Sequence, residues 1–277
     1  MFGIQAFPKI IAHRGARSLA PENTLSAAQK ALQAGADMWE LDVTMTADGE
    51  LIVLHDDTLN RTSNAPEMFP DRGPWKAHTF QLSEIRQLDA GSWFVAQDPF
   101  GQIAAGEVST ADQQNYTGEK IPTLEESLFF TRQNDWQVNV EIKDLGRRPG
   151  SEVIVERVAE LVRSLGMQEQ VLISSFNHHY LLRSKAAAPQ LRTAALVLLP
   201  VPLVARHLRR IAAQAYHPRL GAVSEARVRS LQEQGFAVNV WTVNAENDLL
   251  RMIDFGVDGV ITDFPQRLHA LRSKTSA

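Results

Sequence analysis

The stretch MWELDVTMTADGELIVLHDD, residues 38–57, decides how this chain folds. Its opening run, 38–44, is mostly apolar but carries Glu40 and Asp42 at alternate positions. In an extended strand those two carboxylates share one face, and Leu41 and Val43 share the other. Ala47, Asp48 and Gly49 follow, and then a second apolar run, 50–55, ends in His55. An Asp-Gly pair between apolar runs signals a hairpin, and the connection is too short for a crossover helix. The second run is therefore expected to return antiparallel, carrying His55 back towards Asp42.

Outside the hairpin, short β-branched runs alternate with longer segments of helical period, the pattern that builds a parallel sheet with crossover helices. Strands are expected at residues 9–12, 38–44, 137–142, 171–174, 193–198, 214–217, 237–243 and 257–262. Thr24 is placed to cap the first helix, and a later helix is expected over 151–165. Eight such strands define a (β/α)8 TIM barrel in a single α/β domain spanning residues 1–277. The periodicity fails from about 57 to 119, where Gly, Pro, Asp, Asn and Ser are frequent. That length is too great for a plain loop, so the segment is expected to be an inserted subdomain. Its Trp75, Phe80, Trp93 and Phe94 either form a small core or close over a ligand.

The bulk numbers remove several function classes. A hydrophobic share of 44% in 277 residues supports a sizeable core. With 28 basic against 32 acidic residues the net charge is −4, which gives no basic field for nucleic acid. The absence of cysteine excludes disulfides, thiolate zinc and a cysteine nucleophile. The N-terminal MFGIQAFPKIIAHRG has no signal-peptide pattern, and no apolar run is long enough to span a bilayer. A soluble cytoplasmic protein without stable membrane association is expected.

In a barrel the C-terminal strand ends converge on the active site. His13 and Arg14 close the first strand, Glu40 and Asp42 lie on the second, His55 ends the return strand, Glu141 and Lys143 close the third, and Trp241 ends the seventh. Three acids in a closed interior would repel one another unless compensated. Salt bridges to Lys143 and Arg14 are one compensation. A divalent cation is the other, and three carboxylates suit Mg²⁺ or Ca²⁺, with Mn²⁺ a further candidate. Of the eight histidines, only His13 and His55 fall beside the acids. Two imidazoles flanking a phosphodiester can serve as general base and general acid. Arg14 offers a planar fork and Lys143 a point charge to a phosphate. Trp241 either offers a flat apolar face to a ligand or fills the top of the barrel.

The runs IAHRGARSLAPENT, WELDVTMTADGELIVLHDDTL, IPTLEE, VEIK, ISSF and VNVWTVN, in that order, resemble the glycerophosphodiester phosphodiesterase family along nearly the whole chain. The resemblance implies metal-dependent hydrolysis of a small glycerophosphodiester to sn-glycerol 3-phosphate and an alcohol. It matches His13 and His55 to the acid/base pair, Glu40, Asp42 and Glu141 to the metal ligands, and Arg14 and Lys143 to the phosphate contacts. Glu22 and Asn23 match residues that support the site, and Trp241 matches an aromatic near the glycerol. The stretch LDAGSWF, residues 88–94, resembles part of the family's insertion. The attacking group is either water or the neighbouring glycerol hydroxyl. A lysophospholipase D or sphingomyelinase D-like activity on lipids would use the same residues and would require an apolar approach.

Overall fold

A computed structural model describes residues 7–275, and within them one sheet holds strands β1 (Lys9–Ala12), β2 (Met38–Met45), β3 (Leu51–Val53), β4 (Gln137–Ile142), β5 (Val171–Ser175), β6 (Arg192–Val197), β7 (Ala215–Pro218), β8 (Ala237–Val240) and β9 (Gly259–Thr262). The strand order is β1-β9-β8-β7-β6-β5-β4-β2-β3, and a further β1–β2 pairing closes eight of them into a barrel. All eight closing pairs are parallel; β3 alone is antiparallel, with Val43 opposite Val53 and Met45 opposite Leu51. The hairpin expected across Asp48-Gly49 is thus present, and the backbone N–H of Leu54 still donates to the carbonyl of Asp42 at 2.9 Å. Every residue of β2 is buried, as a strand covered on both faces must be.

Barrel helices follow the strands: α1 (Leu25–Gln33), α2 (Leu124–Gln133), α3 (Ile154–Ser164), α4 (His178–Ala187), α5 (Val204–Arg210), α6 (Glu225–Gln232), α7 (Glu246–Phe255) and α8 (Pro265–Thr275). Their starts are written locally. The Thr24 hydroxyl accepts from Ala27 N at 3.1 Å. In IPTLEE, Thr123 and Glu126 cap each other's backbone N–H groups, a capping box that satisfies two otherwise orphaned donors. On α3 the buried residues Ile154, Val155, Val158, Ala159 and Val162 form a helical stripe. It joins the same apolar cluster as Val138, Val140 and Ile142 of β4, which turn away from the barrel axis. Each such side chain contributes roughly 1.5–3 kcal/mol by leaving water.

Two boundaries differ from expectation by three residues, the others by two or fewer. The seventh barrel strand ends at Val240 rather than 243. Trp241 keeps only an isolated bridge to Arg219, its carbonyl being taken by Leu220 N at 2.6 Å. The helix expected over 151–165 begins at Ile154, after a turn at Gly150.

Between β3 and α2 the chain forms only short helices, among them Ala65–Met68, Leu82–Ile85, Ser92–Gln97 and Thr110–Tyr116. Phe80 packs with Leu59, Ile85 and Leu88 in one small apolar cluster, and Phe94 packs with Val108 and Tyr116 in another. Trp75 and Trp93 lie against these clusters. The chain departs and returns at one place, because Ile52 bridges Thr123 and Val53 N donates to Pro122 O at 2.9 Å.

Candidate active site

Side-chain alternation on the barrel strands builds the site. Glu40 and Asp42 of β2 point to the barrel axis, and Glu141 of β4 stands directly beside Asp42 in the parallel register. One carboxylate oxygen from each of Glu40, Asp42 and Glu141 lies within 4.8 Å of the others, forming the one acidic or histidine cluster of metal-ligand geometry among the described residues. All three are buried.

Their charges are unequally balanced. Burial alone would raise Asp42, but Lys143 Nζ at 3.3 Å and Arg14 Nε at 3.3 Å outweigh it and hold that carboxyl well below its ordinary range. Asn23 adds a hydrogen bond to Asp42 Oδ2 at 2.9 Å. Burial, reinforced by Asp42 and Glu141, pushes Glu40 well above its ordinary range. Burial and then Asp42 likewise raise Glu141, even though Lys143 Nζ lies 3.0 Å away. Arg14 and Lys143 therefore leave part of the acidic cluster uncompensated, and Arg14 is shared with Glu22 at 2.8 Å. A hard divalent cation with oxygen ligands fits that residue set.

The loop after β1 places the second tier. Arg14, Gly15 and Asn23 all adopt positive φ, at 54°, 79° and 59°. A Cβ on Gly15 would lie 2.6 Å from the Ala27 backbone, so only glycine lets α1 approach this closely. The tight turn aims Arg14 N at Glu40 Oε2, 2.9 Å away. Burial would raise Glu22, yet Arg61, Arg14 and Arg17 pull it down to about 2. Glu22 thus anchors three guanidinium groups rather than facing the cavity.

His13 and His55 both line the cavity that contains Glu40, Glu141 and Lys143, a space of about 180 Å³ closed on one side by Trp241 and Phe176. His13 Nδ1 lies 2.6 Å from Asp263 Oδ1, and His55 Nδ1 lies 2.7 Å from Asp56 Oδ1. A carboxylate can only accept, so each imidazole carries its proton on Nδ1 and turns Nε2 to the cavity. Burial and then Arg14 lower the His13 pKa, against the raising effect of Asp263. Trp241 donates Nε1–H to His217 O at 2.8 Å and meets Phe176 edge to face at 5.5 Å between ring centroids.

All ten residues singled out from the sequence gather around this cavity or its immediate supports. Others had not been singled out, among them Asp263 behind His13, Asn244 behind Asp263, Asp56 behind His55, and Phe176 and Leu196 on the wall. The aromatic residues of 57–119 are absent from the cavity lining. No described helix is long and apolar enough to cross a membrane.

A (β/α)8 barrel with three carboxylates, two imidazoles and two cations at its C-terminal mouth is equipped for phosphodiester hydrolysis, and comparison with known proteins shows the class. The family model described as the glycerophosphoryl diester phosphodiesterase family matches residues 13–267. A glycerophosphodiester phosphodiesterase from Caldanaerobacter subterraneus subsp. tengcongensis is 36% identical over 94% of this chain and 95% of its own. One from Bacillus altitudinis is 34% identical over 96% and 98%. A phosphodiesterase from Oleispira antarctica, solved with the product sn-glycerol-3-phosphate, superimposes with a TM-score of 0.77 at 28% identity, covering 96% of this chain and 97% of that one. The chain belongs to the glycerophosphoryl diester phosphodiesterase family, and it is an enzyme.

Proposed function

We propose that this enzyme hydrolyses small glycerophosphodiesters to sn-glycerol 3-phosphate and an alcohol, with a divalent cation held by Glu40, Asp42 and Glu141 and with His13 and His55 moving the protons. The observation that carries the reading is the meeting of three buried carboxylates with two cavity-facing imidazoles in one small space. The size of the cavity suits a glycerol phosphate headgroup. The aromatic residues of 57–119, one apolar approach a lipid substrate could have used, are packed into their own clusters instead. We read the whole chain as one domain, with residues 57–119 as a cap built onto the barrel.

When bound, Mg²⁺, Ca²⁺ or Mn²⁺ would supply charge withdrawal from the phosphate as negative charge builds in the transition state. The protein's own groups do the rest. Arg14 and Lys143 stand beside the acids as the cationic contacts for the phosphate oxygens. Asp263 holds His13 with Nε2 free of its proton, so His13 is assigned as the base that deprotonates the attacking water, or the glycerol hydroxyl, whose attack gives a cyclic phosphate that water then opens to glycerol 3-phosphate. His55, partly open to solvent, is assigned as the acid that protonates the departing alcohol oxygen. Trp241 and Phe176 close an apolar wall against which glycerol carbons can lie. A coupled assay for glycerol 3-phosphate release from several glycerophosphodiesters, run with EDTA and with each cation added back, tests reaction and cofactor together. Turnover that ignores EDTA contradicts the metal assignment, and absence of glycerol 3-phosphate contradicts the reaction.

A further inference from the structure

Three leucines stand out from the fold beside the cavity mouth. Leu198, Leu199 and Leu203 are 57%, 75% and 74% exposed, on the loop that leaves β6. Leu196, just before that loop, lines the cavity. A lone exposed leucine needs no explanation, but three within six residues form an apolar projection that water disfavours. Phe176, which also borders the cavity, is 38% exposed on the same rim. Pro200 and Pro202 stiffen the loop, so the leucines are presented at low entropic cost.

The ground around the projection is cationic. Residues 198–234 carry six arginines against two glutamates, in a chain whose net charge is −4. Arg229 is matched by Glu225. The exposed Arg206, Arg210 and Arg219 have no carboxylate partner among the described residues. Arg206 borders the same surface hollow as Leu203, and Arg219 N is bonded to Val197 O at 3.0 Å, which places it at the root of the loop.

We propose that this face docks transiently on an anionic lipid surface, the three leucines entering the headgroup layer while Arg206, Arg210 and Arg219 meet lipid phosphates. An apolar projection beside arginines that no carboxylate among the described residues neutralises, Arg210 being bonded there only to His207 Nδ1 at 3.2 Å, matches a surface that is anionic outside and apolar beneath. A second copy is the poorer occupant: a two-fold interface would bring this patch against itself and oppose arginine to arginine. Docking here sets the cavity mouth, bordered by Leu196 and Phe176, at the level of the lipid headgroups. The inference stands on the surface alone and is independent of the reaction assigned above.

Co-sedimentation of the whole protein with vesicles of phosphatidylcholine, with and without phosphatidylglycerol, tests it. Partition is expected onto the mixed vesicles, with less on the neutral ones and a decline as salt rises. The triple variant Leu198→Ser, Leu199→Ser, Leu203→Ser should bind the mixed vesicles at least about tenfold more weakly. Its thermal melt and its turnover of soluble glycerophosphocholine should be retained. Replacing Arg206, Arg210 and Arg219 by glutamine should erase the preference for the anionic vesicles. Failure of the wild type to partition, or equal partition of the leucine variant, overturns the proposal. So does a dimer, detected by sedimentation velocity, that the leucine substitutions dissolve while vesicles are ignored.

Discussion

Asp263→Asn isolates the contribution of one charge to the assigned base. The two oxygens of Asp263 each receive a donor: His13 Nδ1 at 2.6 Å and Asn244 Nδ2 at 2.7 Å. The orientation of Asn244 is fixed, because its Oδ1 accepts from Asp263 N at 3.0 Å and from Thr262 Oγ1 at 3.2 Å. An asparagine at 263 has one acceptor oxygen and one NH₂ group, so it must turn a donor against one of these two donors. Either His13 loses its acceptor and swaps tautomer, or Asn244 is displaced. Losing a charge-assisted hydrogen bond costs about 1.5–3 kcal/mol. Spent on positioning the base, that corresponds to a fall of about tenfold to a hundredfold in kcat/KM. The pH profile adds a second readout. Burial and Arg14 lower the His13 pKa while Asp263 raises it, so removing the carboxylate lowers it further. A base must be neutral to act, and the acidic limb of kcat/KM should therefore move to lower pH. Steady-state kinetics across pH, with a thermal melt to verify folding, provide the measurement. Unchanged kcat/KM together with an unmoved acidic limb would refute the role given to His13.

His55→Ala should lower kcat by at least roughly 10²-fold, the usual contribution of a positioned acid; a variant with full turnover removes His55 from proton transfer. Glu40→Gln should raise the cation concentration needed for half-maximal activity, and calorimetric titration showing wild-type cation affinity would exclude Glu40 as a ligand. Despite burial, Arg61, Arg14 and Arg17 hold the Glu22 carboxyl at about 2, below its ordinary 4.5. A folded pKa below the unfolded one contributes stability that is present above about pH 4.5 and lost as pH falls towards 2. Urea midpoints should then fall less steeply with acid in Glu22→Gln than in the parent, and parallel curves would contradict the network.

The parts of the fold legible in the sequence are those with a short local period. Strand alternation gave Glu40, Asp42 and Glu141 a common direction, and Asp48-Gly49 announced the hairpin that returns His55. The capping groups of α1 and α2 are equally local. Residues 57–119 resisted the same treatment because their helices are too short to show a period, Thr110–Tyr116 being seven residues long. Asp263 and Asn244 went unnoticed for another reason: His13 meets Asp263 across 250 residues of sequence, and no window contains both. A signal was available even so. Asp263 immediately follows the last barrel strand, at the end where the strands converge on the cavity. Phe176 carries the same signal after β5.

The meeting of Ile52 and Val53 with Thr123 and Pro122 has a consequence for how this enzyme can diversify. Because the intervening excursion begins and finishes at a shared doorway, the barrel experiences it as a closed circuit whose length it scarcely registers. Doubling such a circuit costs only about 0.6 kcal/mol of closure entropy. Descendants could therefore lengthen or trim the outer turns of that circuit while the strands holding the acids stay in register, provided Arg61 keeps its contact with Glu22 and His55, the proposed acid, keeps its place near the threshold.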